Sequence, residues 1–135
     1  LISKFLNAKK NKTNIKVWGT GNAIREFMYV DDLADAIFKI LVTPKLKFIK
    51  NFKKKLPIIN VGTGEYVSIL QLAKKIKKIM KYNGKILFDK KFPDGTIIKN
   101  LDSSKIRKLK WKPKTKLDTG LKKVIDCREQ LIKNF

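Results

Sequence analysis

Apolar residues recur along the chain at two alternating spacings, and the alternation predicts the elements. Leu1, Ile2, Phe5 and Leu6 fall at helical spacing and read as the end of a helix, followed by a Lys/Asn loop over residues 9–14. Residues 15–18 (IKVW) read as a short strand stopped by Gly19-Thr20-Gly21-Asn22, and residues 26–30 (EFMYV) as a second. Asp31 or Asp32 is placed to cap the next helix. Its Leu33, Ala34, Ala36, Ile37, Phe38, Ile40 and Leu41 lie nearly all round the axis, so burial is expected. Thr43-Pro44 ends that helix, and a lysine-rich connection covers residues 45–55.

Residues 57–61 (PIINV) form the short apolar run of a buried parallel strand, and Gly62-Thr63-Gly64 then turns the chain. Ser68 and Gln71 have the spacing of a capping box, with Ile69, Leu72, Ala73, Ile76, Ile79 and Met80 in one stripe and the lysines mostly off it. Residues 85–89 (KILFD) read as a strand, and residues 92–96 as a turn-rich loop. Asp102 is placed to cap a short helix, and Thr115 or Asp118 a last one carrying Leu117, Leu121, Val124, Ile125, Leu131 and Ile132 on one face. Strands alternating with helices indicate the α/β class.

Composition narrows the chemistry. The 135 residues suit one domain, and 43% hydrophobic residues supply a core and argue against wholesale disorder. Cations outnumber anions 33 to 11, a net charge of +22 that suggests polyanions. Only Arg25, Arg107 and Arg128 are arginine, however, whereas bidentate phosphate or base recognition favours arginine. A solvated lysine surface is the expectation, with no specific nucleic-acid partner, and a non-catalytic basic module that binds nucleic acid is the less favoured alternative. With Cys127 alone and no histidine, an internal disulfide, the usual zinc patterns and any Ser/His or Cys/His nucleophile pair are excluded. No apolar run approaches a membrane span and no signal-peptide pattern opens the chain, so a soluble protein in a reducing, cytoplasmic setting is expected. The chain opens without methionine inside a helical pattern, which leads us to expect the C-terminal part of something longer.

The order VWGTG, REFMYVDDLADA, INVGTG with SILQLAKKI, FPDGT, and LDSSKIRKLKWKP resembles the C-terminal half of extended short-chain dehydrogenase/reductases, enzymes that act on nucleotide sugars. The likeness spans essentially all of residues 1–135, which are expected to form a single substrate-binding region. The REFMYVDDLA and NVGTG segments are shared across the wider family. WGTG with AIREF and the later PDGT resemble the branch that converts GDP-4-keto-6-deoxy-D-mannose to GDP-L-fucose by 3,5-epimerisation and NADPH-dependent 4-ketoreduction. Another nucleotide-sugar epimerase, dehydratase or reductase of the same family is the nearest alternative.

On pattern alone Trp18 is a core residue, Arg25 a surface cation and Asp94 a turn residue. The resemblance implies instead that Trp18 lines the substrate pocket and that Arg25 meets the diphosphate or hexose. It makes Asp94 a substrate contact, to a ribose hydroxyl or a guanine N–H, because a carboxylate is repelled by phosphate. Lys99 is then the cation nearer the phosphates. Lys4 matches a basic position used toward substrate, beside its alternative as a solvated side chain.

The resemblance also implies what lies elsewhere. NADP(H) is expected on an N-terminal dinucleotide-binding sheet absent from these residues, to which residues 57–61 contribute a strand. The family's reducing tyrosine has a lysine four residues on, whereas Tyr29, Tyr66 and Tyr82 are followed there by Leu33, Leu70 and Ile86. Its epimerising step uses a cysteine and a histidine. No catalytic, cofactor or metal residue is therefore expected in this chain, which alone is expected to be inactive and poorly stable. A homodimer is a family expectation.

Overall fold

The computed structural model describes residues 1–51 and 58–133, and they fall into two compact units. The first comprises Leu1–Arg25, Tyr66–Lys99 and Asp118–Phe135, and the second Glu26–Glu65 and Asn100–Leu117.

In the first unit, α1 (Ile2–Asn11) extends into the first three residues of the expected 9–14 loop and is capped by Lys12 in a left-handed conformation, and residues 12–14 are non-helical. Phe5, Leu6 and Ala8 are its buried face, and the lysines that suggested a loop are the solvated face of the same helix. β1 (Ile15–Trp18) alternates buried and exposed residues and pairs in parallel with β4 (Ile86–Asp89), with Ile15 opposite Ile86 and Trp18 opposite Asp89. Parallel strands need a crossover, which here contains α4 (Ile69–Ile79). The capping box at the start of α4 forms as the sequence predicts: Ser68 Oγ accepts from the Gln71 amide at 3.0 Å, and Gln71 Oε1 from the Ser68 amide at 2.8 Å. Leu72, Ala73 and Ile76 bury its stripe, and α6 (Leu117–Lys133) is tied to α4 by Lys75 and Asp118 at 2.7 Å and to α1 by Lys9 and Glu129 at 3.4 Å. β2 (Ile24–Glu26) pairs with β3 (Tyr66–Ser68).

β2 begins two residues before the predicted strand and shares only Glu26 with it, and Val30 already opens α2 (Val30–Leu41) with Tyr29 as N-cap. Asp31 and Asp32 stand in the first turn, where they favour the positive helix end without capping it. Asp32 is buried and accepts from the Thr115 amide at 2.9 Å and its hydroxyl at 3.3 Å, so Thr115 bonds to α2.

The core of the second unit is Ala36, Ile106 and Trp111, with Met28, Ile40, Ile59 and Val61 packed against it. The expected burial of α2 is only partly met. Ala36 is covered, while Phe38 is 65% and Leu41 76% exposed, and Leu33 and Ile37 are exposed as well. A helix apolar all round needs cover on two sides, and its own unit supplies one. α3 (Lys45–Asn51) occupies the start of the lysine-rich connection, whose remainder lies outside the described residues together with Pro57. Residues 58–61 pair with no strand among the described residues. α5 (Ser104–Lys108) has Ser103 as N-cap, and Asp102, one position earlier than its expected capping role requires, accepts from the Ser104 amide at 2.9 Å. That bond and the Ser104 hydroxyl hold the Asp102 carboxyl below the usual carboxylate range. No described helix is long and apolar enough to cross a membrane.

Candidate substrate-binding site

Ligands of parallel sheets collect outside the carboxyl ends of the strands, and in the first unit β1 and β4 both end on loops. Trp18 is the last residue of β1, and the ladder runs one step further, the Gly19 amide donating to the Asp89 carbonyl at 3.0 Å. The Trp18 indole is 63% exposed. Phe92, from the loop after β4, stacks on it at 4.5 Å between ring centroids and 17° between planes. The Lys4 ammonium of α1 lies 5.1 Å from the Trp18 centroid and donates to the Lys16 carbonyl at 3.1 Å. Trp18 is therefore a surface aromatic and not the core residue its pattern suggests.

Two residues beyond Phe92, Asp94 faces the turn after β1. Its Oδ1 accepts from the Thr20 amide at 2.8 Å and its Oδ2 from the Thr20 hydroxyl. The approach is close enough that a Cβ on Gly19, whose φ is +78°, would fall within the carboxylate, so only glycine serves there. The Thr20 hydroxyl and then its amide hold the Asp94 carboxyl below the usual carboxylate range. Arg25, on β2, donates through Nη1 to its neighbour Ile24 at 2.6 Å and to the Thr96 carbonyl at 2.7 Å. A Cβ on Gly95 would stand 3.3 Å from Arg25 Nη2. One loop, residues 92–96, thus touches Trp18, Thr20 and Arg25. Lys99 joins through its backbone, its amide donating to the Ile24 carbonyl at 3.2 Å beside the parallel bridge of Ile24 to Ile98, while its side chain is exposed.

Phe92 and Thr20 are the residues that sequence reasoning missed. Their signals were weak: a lone aromatic ahead of Pro-Asp-Gly, and a threonine inside a glycine turn, each meaningful only with the partner 74 residues away.

The arrangement offers complementary chemistry. Arg25 keeps guanidinium donors beyond those on Nη1, Lys4 retains N–H groups besides the one on Lys16, and each Asp94 oxygen has lone pairs left after Thr20. Cations for phosphate, an indole for an apolar face and a carboxylate for hydroxyl or N–H donors suit a nucleotide sugar.

The glycine turns do not suit a dinucleotide pyrophosphate, which needs free backbone amides. After β1 the Thr20 amide is taken by Asp94 and the Asn22 amide by the Thr20 hydroxyl at 3.2 Å. In the second unit Glu26 Oε1 accepts from the Gly64 amide at 2.5 Å and from the Thr63 hydroxyl at 3.2 Å, while the Glu65 amide donates to Thr63 Oγ1 at 3.1 Å. Arg107 Nη2 donates to the Gly62 and Thr63 carbonyls at 3.1 and 2.9 Å. Both turns are closed on the chain's own groups, each with a carboxylate where a phosphate would have to lie.

The Asp94 latch has a defined pH response. Because folding lowers its pKa, the stabilisation it gives is complete above the ordinary aspartate value of about 3.9 and is lost as the pH falls through the lowered one. Acrylamide quenching of Trp18 is expected to stay flat from neutral pH down to about 4 and to rise below it, with Asp94→Asn removing the acid step. A step near neutrality would contradict this.

Residues 1–62 match the profile of the NAD dependent epimerase/dehydratase family. The chain shares 37% identity and a TM-score of 0.79 with a GDP-6-OMe-4-keto-L-xylo-heptose reductase from C. jejuni, covering 89% of this chain and 35% of that one. The chain takes part of the extended short-chain dehydrogenase/reductase fold, and its first 62 residues carry the NAD dependent epimerase/dehydratase family profile. Its relatives include GDP-L-fucose synthases. A probable GDP-L-fucose synthase 1 of Oryza sativa subsp. japonica is 43% identical over 122 residues, 90% of this chain and 34% of that protein. The GDP-L-fucose synthase of Escherichia coli K12 is 37% identical over 122 residues, 90% of this chain and 38% of that protein. The chain thus spans between 34% and 38% of the length of these two relatives.

Proposed function

We propose that these residues are the GDP-sugar-binding part of a GDP-L-fucose synthase, converting GDP-4-keto-6-deoxy-D-mannose to GDP-L-fucose by 3,5-epimerisation and NADPH-dependent 4-reduction. The observation that carries the proposal is the convergence of Lys4, Trp18, Arg25 and the 92–96 loop at the carboxyl ends of β1 and β4. Support comes also from the relatives' names, in which GDP recurs while the sugar varies between fucose, colitose and a heptose. Arg25 holds the diphosphate with its free N–H groups, Lys4 and Lys99 add positive charge, and Trp18 covers a sugar or nucleotide face. Asp94 accepts from a ribose hydroxyl or a guanine N–H. NADP(H) and the groups that move protons are supplied by the part of the protein outside these residues, whose doubly wound sheet takes residues 57–61 as a strand. A homodimer and a cytoplasmic location belong to the same proposal.

Guanine carries N–H donors that an acceptor carboxylate reads. GDP is therefore expected to displace the bound GDP-sugar at a concentration at least roughly tenfold lower than UDP or dTDP, about 1.4 kcal/mol. Equal displacement by the three would point to another nucleotide-sugar enzyme of the family.

A further inference from the structure

We propose that Phe92 is a positioning residue of this site, one that acts on the ligand through Trp18. The proposal rests on the reading of these residues as a GDP-sugar site and adds a residue to it. Trp18 lies at a strand end and is mostly exposed. An indole so placed samples several staggered rotamers unless something holds it. Phe92 supplies the hold: its ring is nearly parallel to the indole, at 17°, and 4.5 Å away, the offset-stacked geometry that aromatic pairs favour.

Closing one indole face with Phe92 has a chemical consequence. A ligand then meets the edge that carries Nε1–H or the part of the other face that Lys4 leaves open. The Lys4 ammonium is fixed over that ring by the Lys16 carbonyl, so an apolar ligand face and an anionic group are received together. Phe92 also belongs to the loop whose Asp94 latches Thr20 and whose Thr96 holds Arg25. One loop therefore sets the indole, the carboxylate and the guanidinium in a single register, and Phe92 is the member that fixes the indole. A ring at this position selects ligands by the side of Trp18 that it leaves open.

The test is a titration of the protein with GDP, comparing Phe92→Ala, Phe92→Leu and Phe92→Tyr. Phe92 is 41% exposed, so truncation leaves the buried core of its unit intact, and thermal unfolding checks this. Phe92→Ala is expected to weaken GDP binding about fivefold, Phe92→Tyr to bind as the natural protein does, and Phe92→Leu to fall between. In the absence of GDP, Phe92→Ala is also expected to raise acrylamide quenching. That quenching reports on Trp18, because Trp111 is only 3% exposed. GDP binding unchanged in Phe92→Ala, or a Phe92→Tyr loss as large as that of alanine, would overturn the positioning role while leaving the site assignment standing. Failure of the natural protein to bind GDP would overturn the site assignment itself and this role with it.

Discussion

Arg25→Ala is expected to reduce affinity for GDP by about 100-fold, or about 2.7 kcal/mol. A hydrogen bond to a charged group contributes about 1.5–3 kcal/mol, and a guanidinium on a diphosphate makes at least one, often two in parallel. The alanine variant loses these bonds and also frees the loop, because Arg25 Nη1 is what holds the Thr96 carbonyl. Asp94 and Phe92 sit on that loop, so the loss spreads to the other contacts. Arg25→Lys separates charge from geometry. A single ammonium restores attraction but not the fork, and recovery to within about tenfold of the natural affinity is the most it should give. Calorimetric titration with GDP measures both variants. An Arg25→Ala protein within threefold of the natural affinity would remove the guanidinium from the site.

The second large effect is on stability. Trp111 is 3% exposed in the second unit and packs with Ala36 and Ile106. Its Nε1 donates to Asp35 Oδ2 at 3.0 Å, and the Arg107 guanidinium lies 5.6 Å from its ring. Trp111→Ala deletes the largest side chain of that small core and is expected to cost about 3–5 kcal/mol, read as a lowered urea midpoint. Trp111→Phe keeps most of the volume and removes the N–H. Because Asp35 is partly exposed and also meets Lys114 at 3.3 Å, it is not left orphaned, and a loss of about 1 kcal/mol beyond the packing change is expected. An alanine variant within 1 kcal/mol of the natural protein would mean that Trp111 is not the centre of this core.

Legibility in the sequence followed the range of the interactions. α4 was readable because its signal is local: Ser68 and Gln71 are three residues apart, and Leu72, Ala73 and Ile76 mark one stripe. β1 and β4 were readable as strands, but their parallel pairing across 71 residues was not, since nothing in either run names its partner. The start of α2 was misplaced because Asp31 and Asp32 carry the letters of a cap while Tyr29 takes that position, and Asp32 is used to bind Thr115. The exposed face of α2 escaped the pattern for a different reason. Apolar residues all round a helix state that it needs cover, not where the cover comes from. Trp18, Arg25 and Asp94 were chosen by resemblance alone. Their own patterns favoured core, surface and turn, and the contacts that bring them to one loop run through Phe92, Thr20 and Thr96, far along the chain.

The most direct test of the site is the pair of tryptophan indole N–H resonances of the 15N-labelled protein during titration with GDP. Trp18, exposed beside Lys4 and Phe92, is expected to shift progressively and saturably, while Trp111, buried and bonded to Asp35, stays in place. A Trp18 resonance that does not move at saturating GDP would contradict the assignment of this surface as the nucleotide-sugar site.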